Sequence, residues 1–249
     1  MHRFYLPTVT KEQEPTKITG DEFRHLANVL RIKAGDKVYL FDGQGQEYEA
    51  TIQEITKDAA YLELGEQLTE SRESPVELYL VQGIAKGDKM DFVIQKATEL
   101  GVKGIIPLEA KRSVVRLAGG KKADKQQRWQ KVALEATKQC RRSFIPQVSL
   151  PQGLNEFLAT LPQERLVLIP WEEGGRSLKT VLTDSEIIKK QPVPVYLLIG
   201  PEGGWDETEV ELARSKGAIP VTLGPRILRT ETAGLATIAA IMYQWGDLG

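Results

Sequence analysis

Metal-binding side chains are scarce in this sequence, which holds one cysteine, Cys140, and two histidines, His2 and His25, among 249 residues. A single cysteine cannot close an internal disulfide, and with two histidines it cannot complete a zinc quartet. We therefore expect no metal site and a reducing, cytoplasmic setting. No apolar run reaches the length of a membrane span, and MHRFYLPTV at the start lacks the apolar core of a signal peptide. No membrane partner is expected. Neither G-x-G-x-x-G nor G-x-x-x-x-G-K-[ST] occurs, so the dinucleotide fingerprint and the P-loop are excluded. Charge of one sign is lacking too. The net charge of −1 provides no overall attraction to a polyanion.

The charge that is present is unevenly spread. Residues 103–142 hold twelve Lys and Arg against Glu109, Asp124 and Glu135, a local excess of nine. A solvated helix face and a polyanion-facing surface both fit such a run, and a nucleic-acid claim needs a second feature.

The chain divides near residue 72. In the first part a polar loop leads to one short helix, with Thr19 and Glu22 at capping-box spacing and an apolar stripe of Phe23, Leu26, Ala27 and Leu30. KVYLF, QEYEATI and AAYLEL then alternate like strands around the turn DGQG, which predicts a small antiparallel barrel or sheet with a covering helix. EQLTESRESP, residues 66–75, reads as a linker. From residue 76, apolar strands alternate with helices: VELYLVQ, GIIPLEA, RLVLIP, VPVYLLIG and AIPVTLG. One helix carries Met90, Val93, Ile94 and Ala97 on one face, and a longer one over 121–142 carries Trp129, Val132, Ala133, Ala136 and Cys140. Two more follow at about 206–216 and 231–245. This pattern predicts an α/β domain, a parallel sheet covered on both faces, over 73–249, after a β domain over 1–72.

Ligands of such sheets bind beyond the carboxyl ends of the strands. Three loops lie there: PWEEGG (170–175), GPEGG (200–204) and GPRILRTETAG (224–234). Two Gly-Pro pairs at successive strand ends predict stiff loops around a site. Glu202, Asp206 and Glu207 would repel a phosphate, and Asp206 with Glu209 fits a helix capping box. A neutral or cationic ligand held by main-chain groups fits better, and S-adenosylmethionine (SAM) is one. The more common methyltransferase arrangement, with GIAKG (83–87) and Glu109 in its glycine and acid positions, is a poor match.

LLIGPEGGWDETE, LGPRILRTETA and HLANVLRIKAGDKV resemble the bacterial 16S rRNA uridine-N3 methyltransferases (RsmE type), members of the SPOUT class of knotted methyltransferases. The likeness continues through Arg31–Asp36, FDG at 41–43, KGDKMDFVIQKATELGV at 86–102, RSVV at 112–115, Gln139, Arg142 and Pro146. The resemblance implies a SPOUT-type domain with a deep trefoil knot and a PUA-like β-barrel that binds RNA. It also implies a homodimer with active sites near the subunit interface. The implied activity is SAM-dependent methylation of N3 of a uridine in small-subunit rRNA, as naked RNA or assembled subunit. Another SPOUT activity such as ribose methylation, or a non-catalytic RNA-binding assembly factor, is the alternative.

By the same resemblance, SAM lies against Pro170, Glu172, Ile199, Gly200, Gly203, Leu223, Gly224, Ile227 and Leu228. For the leucines and isoleucines, ordinary core packing is the competing account. Arg229 and Glu231 are the catalytic candidates, since an imide N3 must lose its proton and a cation can hold the resulting charge. Thr230 as helix N-cap with Glu231 in the first turn explains the same residues structurally. His25 fits a partly exposed helix histidine better than a base. An RNA surface is expected from Arg24, Arg31, Lys33, Lys37, Arg112, Arg116, Arg141 and Arg142. Lys138 and Arg141 depart from the family pattern, where an acid and a small residue are frequent.

Overall fold

The structure, a computed structural model, describes residues 1–9, 15–117 and 119–249. It divides into two compact units, Met1–Glu73 with Thr137–Ile145, and Ser74–Ala136 with Pro146–Gly249. No helix among the described residues is long and apolar enough to cross a membrane.

The first unit is built on β1 (Arg3–Tyr5), β2 (Thr16–Thr19), β3 (Lys37–Phe41), β4 (Glu47–Ile55) and β5 (Ala59–Gln67). They form a sheet in the order β1-β3-β4-β5-β2, antiparallel except for β1 beside β3. Of the stretch expected to be a polar loop, residues 10–14 lie outside the described residues, but Thr16–Thr19 is a strand with Thr16 and Ile18 turned inward. Four residues of mixed polarity are too few to register as alternation. Helix α1 (Gly20–Arg24) follows, and the chain then widens over His25–Val29, where the Leu30 N–H reaches the His25 carbonyl at 3.0 Å. Phe23 and Leu26 pack with Phe4, Ile18, Val38, Leu40, Ile52 and Leu62, so the predicted apolar stripe covers the sheet.

The expected capping box at Thr19 is not formed, since Thr19 makes no side-chain cap bond. Glu22 is used elsewhere. It accepts from the Lys138 ammonium at 2.8 Å and from the Tyr5 N–H at 3.4 Å. An ion pair to a residue 116 positions away outweighs a local cap, and spacing cannot reveal it.

Arg142 overturns its assignment to an RNA surface. Its side chain is only 5% exposed, and its Nε and Nη2 donate to Glu73 at 3.0 and 2.7 Å. Glu73 also accepts from the N–H groups of Ser143 and Phe144, both at 3.1 Å. The carbonyls of Arg141 and Arg142 accept from Arg3, which pairs with buried Glu47. These contacts tie 137–145 into the first unit.

The second unit runs β6 (Leu78–Gly83), α2 (Lys89–Glu99), β7 (Gly104–Glu109), α3 (Lys121–Cys140, its last turn in the first unit), β8 (Gln147–Val148), β9 (Gln152–Gly153) and α4 (Leu154–Ala159). It continues through β10 (Leu166–Pro170), β11 (Arg176–Ser177), α5 (Leu178–Leu182), α6 (Ser185–Ile188), β12 (Val195–Ile199), α7 (Glu207–Ser215), β13 (Ile219–Thr222) and α8 (Thr230–Trp245). The sheet order is β11-β13-β10-β12-β6-β7-β8, with β9 also on β7, and every pairing is parallel.

Alternation along each strand feeds two cores. Leu78, Leu80, Leu166, Leu168, Leu197 and Ile199 face one side with α2, α3 and α8, while Val81, Val167, Ile169 and Leu198 face the other with α4 and α7. The expected doubly covered parallel sheet is what forms.

Replacing Glu73 by alanine removes a carboxylate that accepts two hydrogen bonds from a buried guanidinium. We expect Glu73→Ala to lower stability by about 3 kcal/mol in equilibrium urea unfolding, and Glu73→Ala with Arg142→Met to cost less than Glu73→Ala alone.

Candidate functional site

Parallel strands end on the same side, so β10, β12 and β13 deliver their following loops to one place. A cavity of about 310 Å³ opens there, lined by Pro170 and Glu172, by Ile199 through Trp205, and by Ile227 through Thr230, with Lys89 and Ala233. A second cavity of about 200 Å³ adjoins it, sharing Pro170, Glu172, Ile227, Leu228 and Ala233 and adding Leu223 and Gly224. All nine residues expected around a cofactor are thus brought together. Core packing does not explain Ile227, which is 84% exposed, an apolar side chain held at the lip of the site. Ile199, by contrast, is buried and serves the sheet core as well as the cavity wall.

The glycine loop takes its shape from specific constraints. The Gly204 N–H donates to the Pro201 carbonyl at 3.0 Å, closing a turn. Gly204 has φ +72°, and a Cβ on it would lie 2.9 Å from Glu172 Oε1. That backbone favours glycine, and a side chain there would also displace the Glu172 carboxylate. Behind the loop, Asp206 caps α7 and forms the capping box with Glu209, as the spacing predicted. The Thr208 hydroxyl, with Lys111 adding to it, holds the Asp206 carboxyl below the usual carboxylate range.

Glu202 does not cap. Its Oε1 accepts from the Lys86 N–H at 2.8 Å and lies 4.0 Å from Lys89 Nζ. Lys89, at the start of α2, also reaches Glu231 at 3.3 Å. This lysine escaped the sequence reading, although its place in KGDK just beyond an apolar strand was a usable signal. Arg229 lies on the cavity wall and Glu231 one residue into α8, away from the lining. Burial pushes the Glu231 carboxyl up, but its own N–H, Lys89 and Arg229 together outweigh that and leave it below its ordinary value.

The N-cap of α8 is Arg229, not Thr230. The Thr230 hydroxyl instead donates to the Gly200 carbonyl at 2.5 Å. Trp205 is also new to the site. It is buried on the cavity wall, and its Nε1–H has no partner among the described residues. His25 is exposed and meets Phe4 edge-on at 6.3 Å, the bland role expected of it.

The basic residues are distributed between the units. Arg24, Arg31, Lys33, Lys37 and Arg141 are exposed in the first, and Arg112 and Arg116 in the second. Several of the positive charges in 103–142 meet acids from outside that run. Lys111 and Arg112 face Asp206, Arg128 faces Asp88 and Asp91, Lys138 faces Glu22, and Arg142 faces Glu73. Arg24 pairs with Asp21, and Lys37 with Glu49.

Comparison with known proteins agrees with this architecture. Residues 72–242 match a family described as RNA methyltransferase domain, and residues 18–65 match one described as RNA methyltransferase PUA domain. The ribosomal RNA small subunit methyltransferase E of Bacillus subtilis is 37% identical, over 98% of this chain and 97% of that protein. The crystal structure of a ribosomal RNA small subunit methyltransferase E from Neisseria gonorrhoeae, bound to S-adenosyl methionine, superposes with a TM-score of 0.90 at 38% identity over the whole of both chains. A Legionella pneumophila methyltransferase in complex with the cofactor SAM gives 0.88 at 33% identity, over 99% of this chain and 98% of that one. With its PUA domain, its parallel α/β domain and full-length identity well above 30%, this chain belongs to the ribosomal RNA small subunit methyltransferase E family of RNA methyltransferases.

Proposed function

We propose that this protein transfers a methyl group from SAM to N3 of a uridine in small-subunit ribosomal RNA. The observation that carries the reading is that the nine residues which the family resemblance assigns to the cofactor converge on two adjoining cavities at the strand ends.

The cavity suits SAM chemically. Its size falls at the lower end of small-ligand sites. Ile199, Ile227, Leu228 and Ala233 offer apolar surface to an adenine, while Glu172 and Glu202 suit an ammonium and a sulfonium. The unpartnered Trp205 N–H suits a ligand acceptor, because a buried donor without a partner is costly. SAM, when bound, supplies the electrophilic methyl group.

Residues of this chain supply the rest. Uridine N3 gives up a proton as it attacks, and negative charge spreads onto the flanking carbonyl oxygens. Arg229, exposed on the cavity wall, holds that charge. Glu231 is a poor proton acceptor at neutral pH because its carboxyl is held below its ordinary value. We assign it to orienting Lys89 and Arg229, and leave the proton to solvent.

The first unit, with its PUA match, is proposed to bind RNA through Arg24, Arg31, Lys33, Lys37 and Arg141, and the second through Arg112 and Arg116. A trefoil knot in the 73–249 domain, a homodimer and a cytoplasmic setting complete the reading. Exposed Tyr243 and Leu248 at the end of the chain support a subunit contact, which light scattering would measure.

Nucleoside mass spectrometry of small-subunit rRNA is the direct test. Deleting the gene should abolish 3-methyluridine alone, and loss of a ribose-methylated nucleoside instead would sink the N3 assignment. Arg229→Ala should lower kcat about 100-fold with little change in SAM affinity. Glu231→Gln should cost less than Arg229→Ala. A carboxyl held below its ordinary value is already ionised at neutral pH, so the kcat profile around neutrality should show no Glu231 inflection. Arg31→Ala and Arg112→Ala should each weaken RNA binding and flatten its log–log salt slope by about 0.7, measured by titration at several salt concentrations.

A further inference from the structure

Beneath the glycine loop lies a buried amide that the proposed chemistry does not use. Gln82, near the end of β6, is fully buried. Its Nε2 donates to the Gly83 carbonyl at 3.0 Å and to Thr230 Oγ1 at 2.8 Å. The Thr230 hydroxyl in turn donates a hydrogen bond to the Gly200 carbonyl. Gln82 Oε1 has no hydrogen-bond partner among the described residues. A glutamine held under a core with half of its amide unsatisfied is a costly choice for packing alone, where a leucine or methionine would serve.

The geometry above it explains the choice. Pro201 has no N–H, so the Gly200–Pro201 peptide can be anchored by hydrogen bonding only through the Gly200 carbonyl. That carbonyl is where the chain of bonds from Gln82 ends. Gly83 lets the loop sit directly on β6, since a Cβ there would lie 2.5 Å from the Pro201 nitrogen and 2.8 Å from the Gly200 carbonyl carbon. Thr230 is at once the middle of the chain of bonds, the first residue of α8 and part of the cavity wall. Three segments, the end of β6 at 82–83, the loop 199–204 and the start of α8 at Thr230, are therefore locked through one amide and one hydroxyl.

We propose that Gln82 is a positioning residue for the cofactor: through Thr230 it fixes the Gly200 carbonyl and with it the Ile199–Gly204 wall. Gln82 itself is not part of the cavity lining. The inference rests on the reading of that cavity as the SAM site.

The test is a double-mutant cycle read by calorimetric SAM binding, with RNA affinity measured alongside as the control for folding. Gln82→Met keeps the volume without the amide, and Thr230→Val keeps the shape without the hydroxyl. Each should weaken SAM binding roughly tenfold, the scale of one hydrogen bond. The double variant should lose no more than either alone, because both break the same chain of bonds. RNA affinity should hold throughout, and Thr230→Ser, which retains the hydroxyl, should recover most of the SAM affinity. Wild-type SAM affinity in Gln82→Met, or losses that multiply in the double variant, would overturn the proposal. If Gln82→Met fails to fold, the contrast between Thr230→Val and Thr230→Ser decides it, equal affinities in that pair being the contrary result. A wild-type protein that binds no SAM would refute the functional reading instead, and the two failures are thus distinct.

Discussion

Every strand of the second sheet runs the same way, and the site depends on that constraint. Parallel pairing of β6, β12, β10 and β13 brings their carboxyl ends to one edge, although the segments are separated by scores of residues. Each following loop must then turn beside its neighbours, and the cavities open between those turns. Antiparallel pairing of the same strands would send alternate loops to opposite edges and leave no common site. The apolar residues that alternate to the two faces of the sheet therefore do more than fill the core. They hold the register on which Pro170, Ile199 and Leu223 meet.

Within that frame, the carboxylates of the site are held in place by their neighbours. Lys89 lies near Glu202 and Glu231, Glu202 accepts from a main-chain N–H, and Glu172 fits against a glycine that has no Cβ. The glycine loop is stiff because its turn, its packing on β6 and its hydrogen bond from Thr230 each remove a different freedom. A site with its donors and carboxylates already set suits a cationic cofactor.

The basic run of 103–142 illustrates how charge statistics mislead when read along the chain. Its excess of nine is a property of sequence distance. Folding brings Asp88, Asp91 and Asp206 to it in the second unit, and Glu22 and Glu73 to its end in the first. Arg142, the family-motif arginine expected to face RNA, became a buried tie to Glu73. Lys138, which departs from the family pattern, found its acid in Glu22, the residue expected to cap a helix.

Local physics was legible in the residues. Alternation placed β3 to β5 and the apolar strands of the second unit, helical spacing placed Met90 through Ala97 on a buried face, and Asp206 with Glu209 announced the cap of α7. Gly-Pro after an apolar strand pointed to the loops, and the family likeness supplied the residues around them. Partners far apart in the chain were not legible: the Glu22–Lys138 and Glu73–Arg142 pairs, the parallel β1, the place of Lys89, and the chain from Gln82 through Thr230 to Gly200. Periodicity and capping act over a few residues and leave a trace in spacing. A buried polar group is satisfied by whatever the fold brings beside it, so only the tertiary structure could decide those partners.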